Sequence, residues 1–339
     1  PDIGDQAREY GPFLNDQPHP ERSGLFLYLN ANKQGVTLDL ETPTGREILG
    51  GMLAHSDVFV HNLPPTKMDH LGVNYENMRP HNDQLVMASI TPFGLTGPYR
   101  NYKAYDINLA AAGGICEGLG SPDREPLTFG TPEVGYFAGM AAASSIVIAL
   151  LAGAGQHIDI AEVEAMAGIY NGPEALMAVY QWRMTRRTGH HALDFPYPNC
   201  ILRCRDGYIF VGSPEGRQWR KLLELMGNPQ WANDPRFTNR TVMNNQYADE
   251  IDGYMEAWLL DYTKEELLQI AMEHRIPLAP VWSYDEVRND ENMGGLFTEI
   301  NRENTGPLSF PGTPYEIDGL STASPSPASY LGQHNKAIY

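Results

Sequence analysis

The side chains of this 339-residue chain that offer chemistry are few and scattered. Thr131-Pro132-Glu133 has the grammar of a helix start, with Thr as N-cap, Pro at the first helical position and an acid in the first turn, where helix amides favour negative charge. Asp106 reads as the N-cap of a helix beginning near Ile107. Cys200-x-x-x-Cys204 has no second cysteine pair and His190-His191 is an isolated doublet in a loop, whereas zinc sites want three or four converging ligands. Core thiols, a polar loop and no metal are therefore expected. A phosphate-cradling Gly-x-x-x-x-Gly-Lys-Ser/Thr is missing, and Gly114, Gly118 and Gly120 do not make Gly-x-Gly-x-x-Gly, so nucleotide hydrolysis and dinucleotide redox lose support.

The elements that must position these groups follow from periodicity. From Gly35 to Leu63 the sequence reads as β-α-β: a β-branched run Val36-Thr37-Leu38, a helix start at Thr42-Pro43, Ile48, Leu49, Met52 and Leu53 at helical spacing, then the strand Asp57 to Val60. Leu85 to Ile90 is a second strand, ending in the Gly/Pro turns of Thr91 to Pro98. A helix from Thr131 through Ala149 or beyond, a strand from Gln156 to Ile160 and a helix from Glu162 to Thr185 follow. Such alternation implies a parallel sheet covered on both faces. After Arg187 the texture changes: a loop from Gly189 to Asn199, a strand Tyr208 to Val211, and helices around Trp219 to Met226, Asn244 to Leu260 and Lys264 to Glu273. The expectation is an α/β fold, an open parallel Rossmann-like large domain over 1–187, a smaller α+β domain over 188–285 and a return segment over 286–339. Gly306 to Pro327, rich in Pro, Gly and Ser, reads as irregular.

With 42% hydrophobic residues the chain fills a sizeable core, and its net charge of −18 repels nucleic acid and anionic membrane surfaces. The most apolar stretch, Ala138 to Ala152, falls short of the roughly 20 residues that cross a bilayer, so no membrane span is expected. Three cysteines make no disulfide framework, and Pro1 to Asp5 lacks the features of a signal peptide; a cytoplasmic protein is expected.

An ordered set of short segments is more specific than any of these features. They are Leu29-Asn30-Ala31-Asn32-Lys33, Val60-His61-Asn62-Leu63-Pro64-Pro65, Ser89 to Tyr99, Lys103-Ala104-Tyr105-Asp106, Gly155-Gln156-His157-Ile158-Asp159, Asp234-Pro235-Arg236-Phe237 and Ile276 to Val281. Together, over nearly the whole chain, they resemble the family III CoA-transferases, the group that includes 2-methylacyl-CoA racemases and carnitine CoA-transferases. The resemblance implies an open α/β domain with an inserted small domain, two subunits threaded through each other, coenzyme A or acyl-CoA as substrate, a small carboxylic acid as acceptor and a carboxylate nucleophile. It assigns Leu29, Asn32 and Lys33 to the CoA-lining segment, Asn62 and Leu63 to the nucleotide side, and His70 to a position where many members carry an Arg near the phosphates. Lys33, His70 and Lys103 suit phosphates, and Asp106 would orient a substrate or a base near the thioester.

Four departures qualify the resemblance. Counted back from Gly135, the family's nucleophilic Asp falls on Thr131, which keeps the cap but offers no carboxylate; Glu133 is the only nearby acid and a candidate replacement. The family's first β-α-β stretch is missing ahead of Pro1 and the C-terminus stops early, which reads as part of a longer polypeptide. Leu150 to Gly155 is shorter than the usual linker. His190-His191-Ala192-Leu193-Asp194-Phe195 stands where related transferases carry a mobile glycine loop. Three functions compete: CoA transfer, possible also for the non-nucleophilic subunit of a pair; acyl-CoA racemisation or isomerisation; and an inactive scaffold. The partner is a second copy or an Asp-bearing paralogue.

Overall fold

In a computed structural model, which describes residues 3–169, 178–180, 187–192, 195–291, 293–315, 317–318 and 325–339, the central layer is a three-stranded parallel sheet. Helix α1 (Gly24–Leu29) precedes it, capped by Ser23. In α2 (Pro43–Leu53), Thr42 Oγ1 accepts from the Gly45 amide at 3.0 Å and Pro43 opens the first turn. Strand β1 (Val58–His61) leads to α3 (Pro65–Leu71) and α4 (Tyr75–Met78), and β2 (Val86–Thr91) takes the central position, buried along almost its whole length. Next come α5 (Asp106–Ala112), α6 (Ile115–Gly118), the long α7 (Glu133–Ala152), β3 (Gln156–Ala161) and α8 (Glu162–Ile169). The strand order is β1-β2-β3, with Val60 beside Ala88 and Ala88 beside Ile158.

A β-strand turns successive residues to opposite faces. Met87 therefore packs with Leu49, Leu53, Leu71, Val73 and Met78 on one face, while Ala88 and Ile160 pack with Ala138 and Ala142 of α7 on the other. Between α7 and β3 the shortened linker is a tight turn: Gly153 takes φ +68°, and a Cβ on Gly155 would lie 2.2 Å from the Asp83 carbonyl oxygen.

The second core lies around an antiparallel sheet, β4 (Asn199–Cys204), β5 (Gly207–Gly212) and β6 (Leu278–Pro280), against α9 (Gly216–Leu225), α10 (Arg240–Gln246), α11 (Ala248–Leu259) and α12 (Lys264–His274). Cys200, Leu202 and Cys204 point inward, and burial pushes the Cys200 thiol far up, so both cysteines are core groups as expected. A hairpin of β7 (Phe297–Arg302) and β8 (Gly306–Pro311) returns to α1, where Phe310 stacks on Tyr28 with ring centres 5.7 Å apart.

Several expectations change. Val36-Thr37-Leu38 forms no strand, because its backbone bonds to the C-terminal segment: the Gly35 amide donates to His334 Nδ1 at 3.0 Å and the Thr37 amide to Asn335 Oδ1 at 2.9 Å. Gly306–Pro311 is a strand rather than irregular, since prolines at positions 307 and 311 are tolerated in a two-stranded ribbon. The helix expected from Asn244 to Leu260 is two, because Asn239 caps α10 through the Thr241 and Val242 amides and Tyr247 breaks the path. Residues 199–204, in part assigned to a loop, pair as β4. The later part of the Glu162 to Thr185 helix, Leu193 and Asp194, and part of 306–327 lie outside the described residues.

The apolar stretch Ala138 to Ala152 is part of a longer helix: α7 runs over Glu133–Ala152, and its 20 residues are long and apolar enough to cross a bilayer by length and composition, which the apolar stretch alone is not. One face of α7 nevertheless packs on β2, β3 and α8, so the helix is a layer of the fold. Tyr136, Met140, Val147, Ile148, Leu150 and Leu151 leave its other side apolar and exposed, Leu151 at 83%.

Candidate active site

The first turn of α7 gathers acids. Pro132, not Thr131, is the residue before the helix, and proline has no side-chain acceptor to cap it. Asp106 takes that task from another helix: its Oδ1 accepts from the Val134 amide at 3.1 Å, and the Gly135 amide also bonds to the carboxylate. Two expectations are thereby corrected. Thr131 is not the N-cap of α7, and Asp106 is the first residue of α5, whose own start is held by Asn108 Oδ1 accepting from the Tyr105 amide at 2.9 Å.

The Thr131 hydroxyl donates to Glu133 Oε1, and the Glu133 amide donates to the Thr131 carbonyl at 2.9 Å, which folds the pair into a tight turn. Glu133 Oε2 is buried and has no hydrogen-bond partner among the described residues. Burial pushes the Asp106 carboxyl above its ordinary range; the Val134 and Gly135 amides pull it back, and the charge of Glu133 raises it further. Glu162, which opens α8, is likewise pushed up by burial and by the charge of Asp106. Tyr136 is raised by burial and by neighbouring Tyr28 and Glu133, which ties α1 to the same cluster. Three carboxylates thus share a half-buried corner, and among the described residues one carboxylate oxygen is left without a partner.

A polar line crosses the sheet toward the turn after β1. The Leu63 amide donates to His61 Nδ1 at 3.2 Å, which makes His61 Nε2 the protonated nitrogen, so Nε2–H donates to Ser89 Oγ at 2.8 Å. Ser89 then donates to His157 Nε2 at 2.9 Å. Burial, helped by His157, pushes His61 down to about 4, so it stays neutral and holds the Asn62-Leu63 turn. Asp159, two residues further along β3, accepts from the Leu95 amide at 3.0 and 3.1 Å and pins the turn after β2.

The remaining sequence candidates spread around this frame. Leu29 ends α1, the helix that carries Tyr28, and is exposed. Asn32 takes φ +63° and accepts from the Ser326 amide at 2.7 Å, tying down the C-terminal segment. Lys33 donates to Asn30 Oδ1 at 3.1 Å and lines a cavity of about 410 Å³ with Arg8, Val36 and Ser329. Asn62 and Lys103 are exposed and Leu63 is half-buried. His70 lies 3.4 Å from Glu41, an acid that works against phosphate binding there. Among the described residues no hydrogen bond or ion pair joins Lys33, Asn62, His70 and Lys103 to one another. Sequence reasoning missed Glu162 and the His61-Ser89-His157 line, although each adjoins or lies within a quoted motif.

The profile described as CoA-transferase family III matches residues 1–335. A succinyl-CoA–D-citramalate CoA-transferase of Chloroflexus aurantiacus is 30% identical over the whole of this chain and 84% of its own length. The BbsE subunit of a succinyl-CoA:(R)-benzylsuccinate CoA-transferase from Thauera aromatica is 28% identical over 99% of this chain and 84% of its own. The crystal structure of a CAIB/BAIF family protein from Brucella suis superposes with a TM-score of 0.86 at 27% identity, covering 99% of this chain and 88% of that one.

Proposed function

The chain belongs to CoA-transferase family III, enzymes that move CoA between an acyl-CoA and a carboxylic acid, and from that premise we propose that Glu133 is its nucleophile. The observation that carries this is the Glu133 carboxylate itself: Thr131 holds Oε1, and Oε2, beside the start of α7, has no partner among the described residues. In the proposed sequence Oε2 attacks the thioester carbonyl, the C–S bond breaks, and CoA departs as thiolate, leaving the acyl group on Glu133 as a mixed anhydride. The thiolate then attacks the glutamyl carbonyl and releases the first acid. The acceptor carboxylate next displaces the thiolate from the glutamyl thioester. Attack of the thiolate on the acceptor carbonyl yields the new acyl-CoA and restores Glu133. Asp106 positions Glu133 by holding the Val134 amide, and it occupies the helix amides that would otherwise aim a carboxylate at position 131.

CoA is proposed to lie along Leu29, Asn32, Lys33 and the Asn62-Leu63 turn, with Lys103 on the thioester side. His70 is a weaker phosphate ligand because Glu41 neutralises it. The exposed apolar side of α7 supports a dimer that covers it, with a second copy or an Asp-bearing paralogue; BbsE is itself named a subunit. Division at 187 and 285 and a cytoplasmic location are proposed with it. Thr131 in place of Asp favours one second reading, a non-nucleophilic subunit of a pair.

Transfer assays on the purified chain with an acyl-CoA and a small carboxylate separate the two. Glu133→Gln should lower kcat by roughly 10³-fold or more, about 4 kcal/mol of transition-state stabilisation. A chain that is inert alone and active only beside an Asp-bearing paralogue, irrespective of Glu133, would establish the second reading instead.

A further inference from the structure

The histidine doublet is not isolated. Asp252 of α11 reaches it, and its Oδ2 lies 2.9 Å from His190 Nε2 and 2.8 Å from His191 Nε2. The three atoms lie within 4.8 Å of one another, and the rings of the two histidines are 4.2 Å apart at 44°. We propose that His190, His191 and Asp252 bind one divalent ion of the zinc and cobalt class, clamping the segment 187–192 to α11, a site independent of the transfer chemistry.

Two imidazoles and a carboxylate are a donor set for borderline divalent metals, with further positions left for water. Metal bonds of about 2.0–2.2 Å in tetrahedral arrangement place ligand atoms about 3.4 Å apart, so the two His–Asp distances of 2.9 and 2.8 Å need open by only about half an ångström, while the two imidazole nitrogens, within 4.8 Å of each other, settle to the same spacing. His190, half exposed, has the room to move. The surroundings already resemble the supports that metal ligands use. The buried Tyr197 hydroxyl donates to Asp252 Oδ1 at 2.8 Å and fixes the carboxylate.

The second observation is a pair of orphaned atoms. His191 Nδ1 and Asn244 Oδ1 are both buried and without partners among the described residues, on residues that are at least nine-tenths buried. Both residues line a cavity of about 720 Å³. Asn244 cannot flip to help, because its Nδ2 donates to the Ala192 and Phe195 carbonyls at 2.7 and 3.1 Å. While His191 Nε2–H donates to Asp252, its Nδ1 is an acceptor, so both orphaned atoms are acceptors and neither can satisfy the other. Metal binding needs the Nε2 lone pair, so the proton moves to Nδ1. Nδ1 then changes from an unmatched buried acceptor into a donor on the cavity wall it shares with the Asn244 acceptor.

Titration of the full chain with Co²⁺, followed by visible absorption and calorimetry, tests this. One Co²⁺ per chain with ligand-field bands, displaced by Zn²⁺, is expected, and Zn²⁺ should raise the thermal midpoint. His190→Ala, at the most exposed ligand, should leave the fold intact and weaken binding at least tenfold; His191→Gln should do the same. No Co²⁺ bands and no Zn²⁺ uptake, equal binding of Mg²⁺, or affinity unchanged in both variants would overturn the proposal and leave a hydrogen-bonded triad.

Discussion

Two carboxylates mark the two cores of this molecule, and their surroundings are opposite. Asp252 is saturated: His190, His191 and Tyr197 all donate to it, and although burial would raise it, those hydrogen bonds bring it below its ordinary value. At the start of α7 the acids crowd one another. Burial raises Asp106 and Glu162, and Glu133 keeps an oxygen with no partner among the described residues. A charge that is fully matched contributes to stability or ligates a metal, whereas one held short of partners is kept available for reaction.

Removing each carboxylate should separate these roles, beginning with the largest effect. Asp252→Ala leaves a buried tyrosine hydroxyl and two imidazoles without their acceptor and should cost about 3–5 kcal/mol, read from urea midpoints. Should it cost no more than Glu162→Gln, the contrast fails. Glu133→Asp withdraws the carboxylate by one methylene and should lower kcat/KM by roughly 10²-fold with an unchanged thermal midpoint. Lys33→Ala should weaken CoA binding roughly ten- to a hundredfold by calorimetry if it holds a phosphate.

The smallest effect is the pH dependence, where the two regions should carry opposite signs. Asp252, lowered from 3.8, contributes stability that is present above about pH 4 and lost as the pH falls through its folded value. Asp106 and Glu162, raised from 3.8 and 4.5, bind protons more tightly in the folded chain, so their contribution is present at low pH and lost as the pH rises through their folded values. Urea midpoints followed from neutral pH down to about pH 2.5 should therefore shift one way in Asp252→Asn, below about pH 4, and the other way in Glu162→Gln, above it.

Much of this was legible in the sequence, for physical reasons. Local patterning placed β1, β2 and β3 by their apolar runs between turn signals, and α7 by its Thr-Pro-Glu start and the uninterrupted apolar run after it rather than by a one-sided apolar stripe. Partners distant in sequence were not legible. Asp106 caps a helix 28 positions away, Asp252 reaches His191 across 61, and Gly35 spends its amide on His334. Because Asp106 rather than Thr131 caps α7, Thr131→Asp adds a like charge beside Glu133 and should destabilise the chain.

The central claim, that Glu133 carries the transferred groups, is tested most directly by trapping. Purified chain incubated with an acyl-CoA and quenched with hydroxylamine should yield, by peptide mass spectrometry, a hydroxamate on Glu133 that is missing from Glu133→Gln. A hydroxamate on another acid of this chain, or none in a preparation that still transfers CoA, would contradict it.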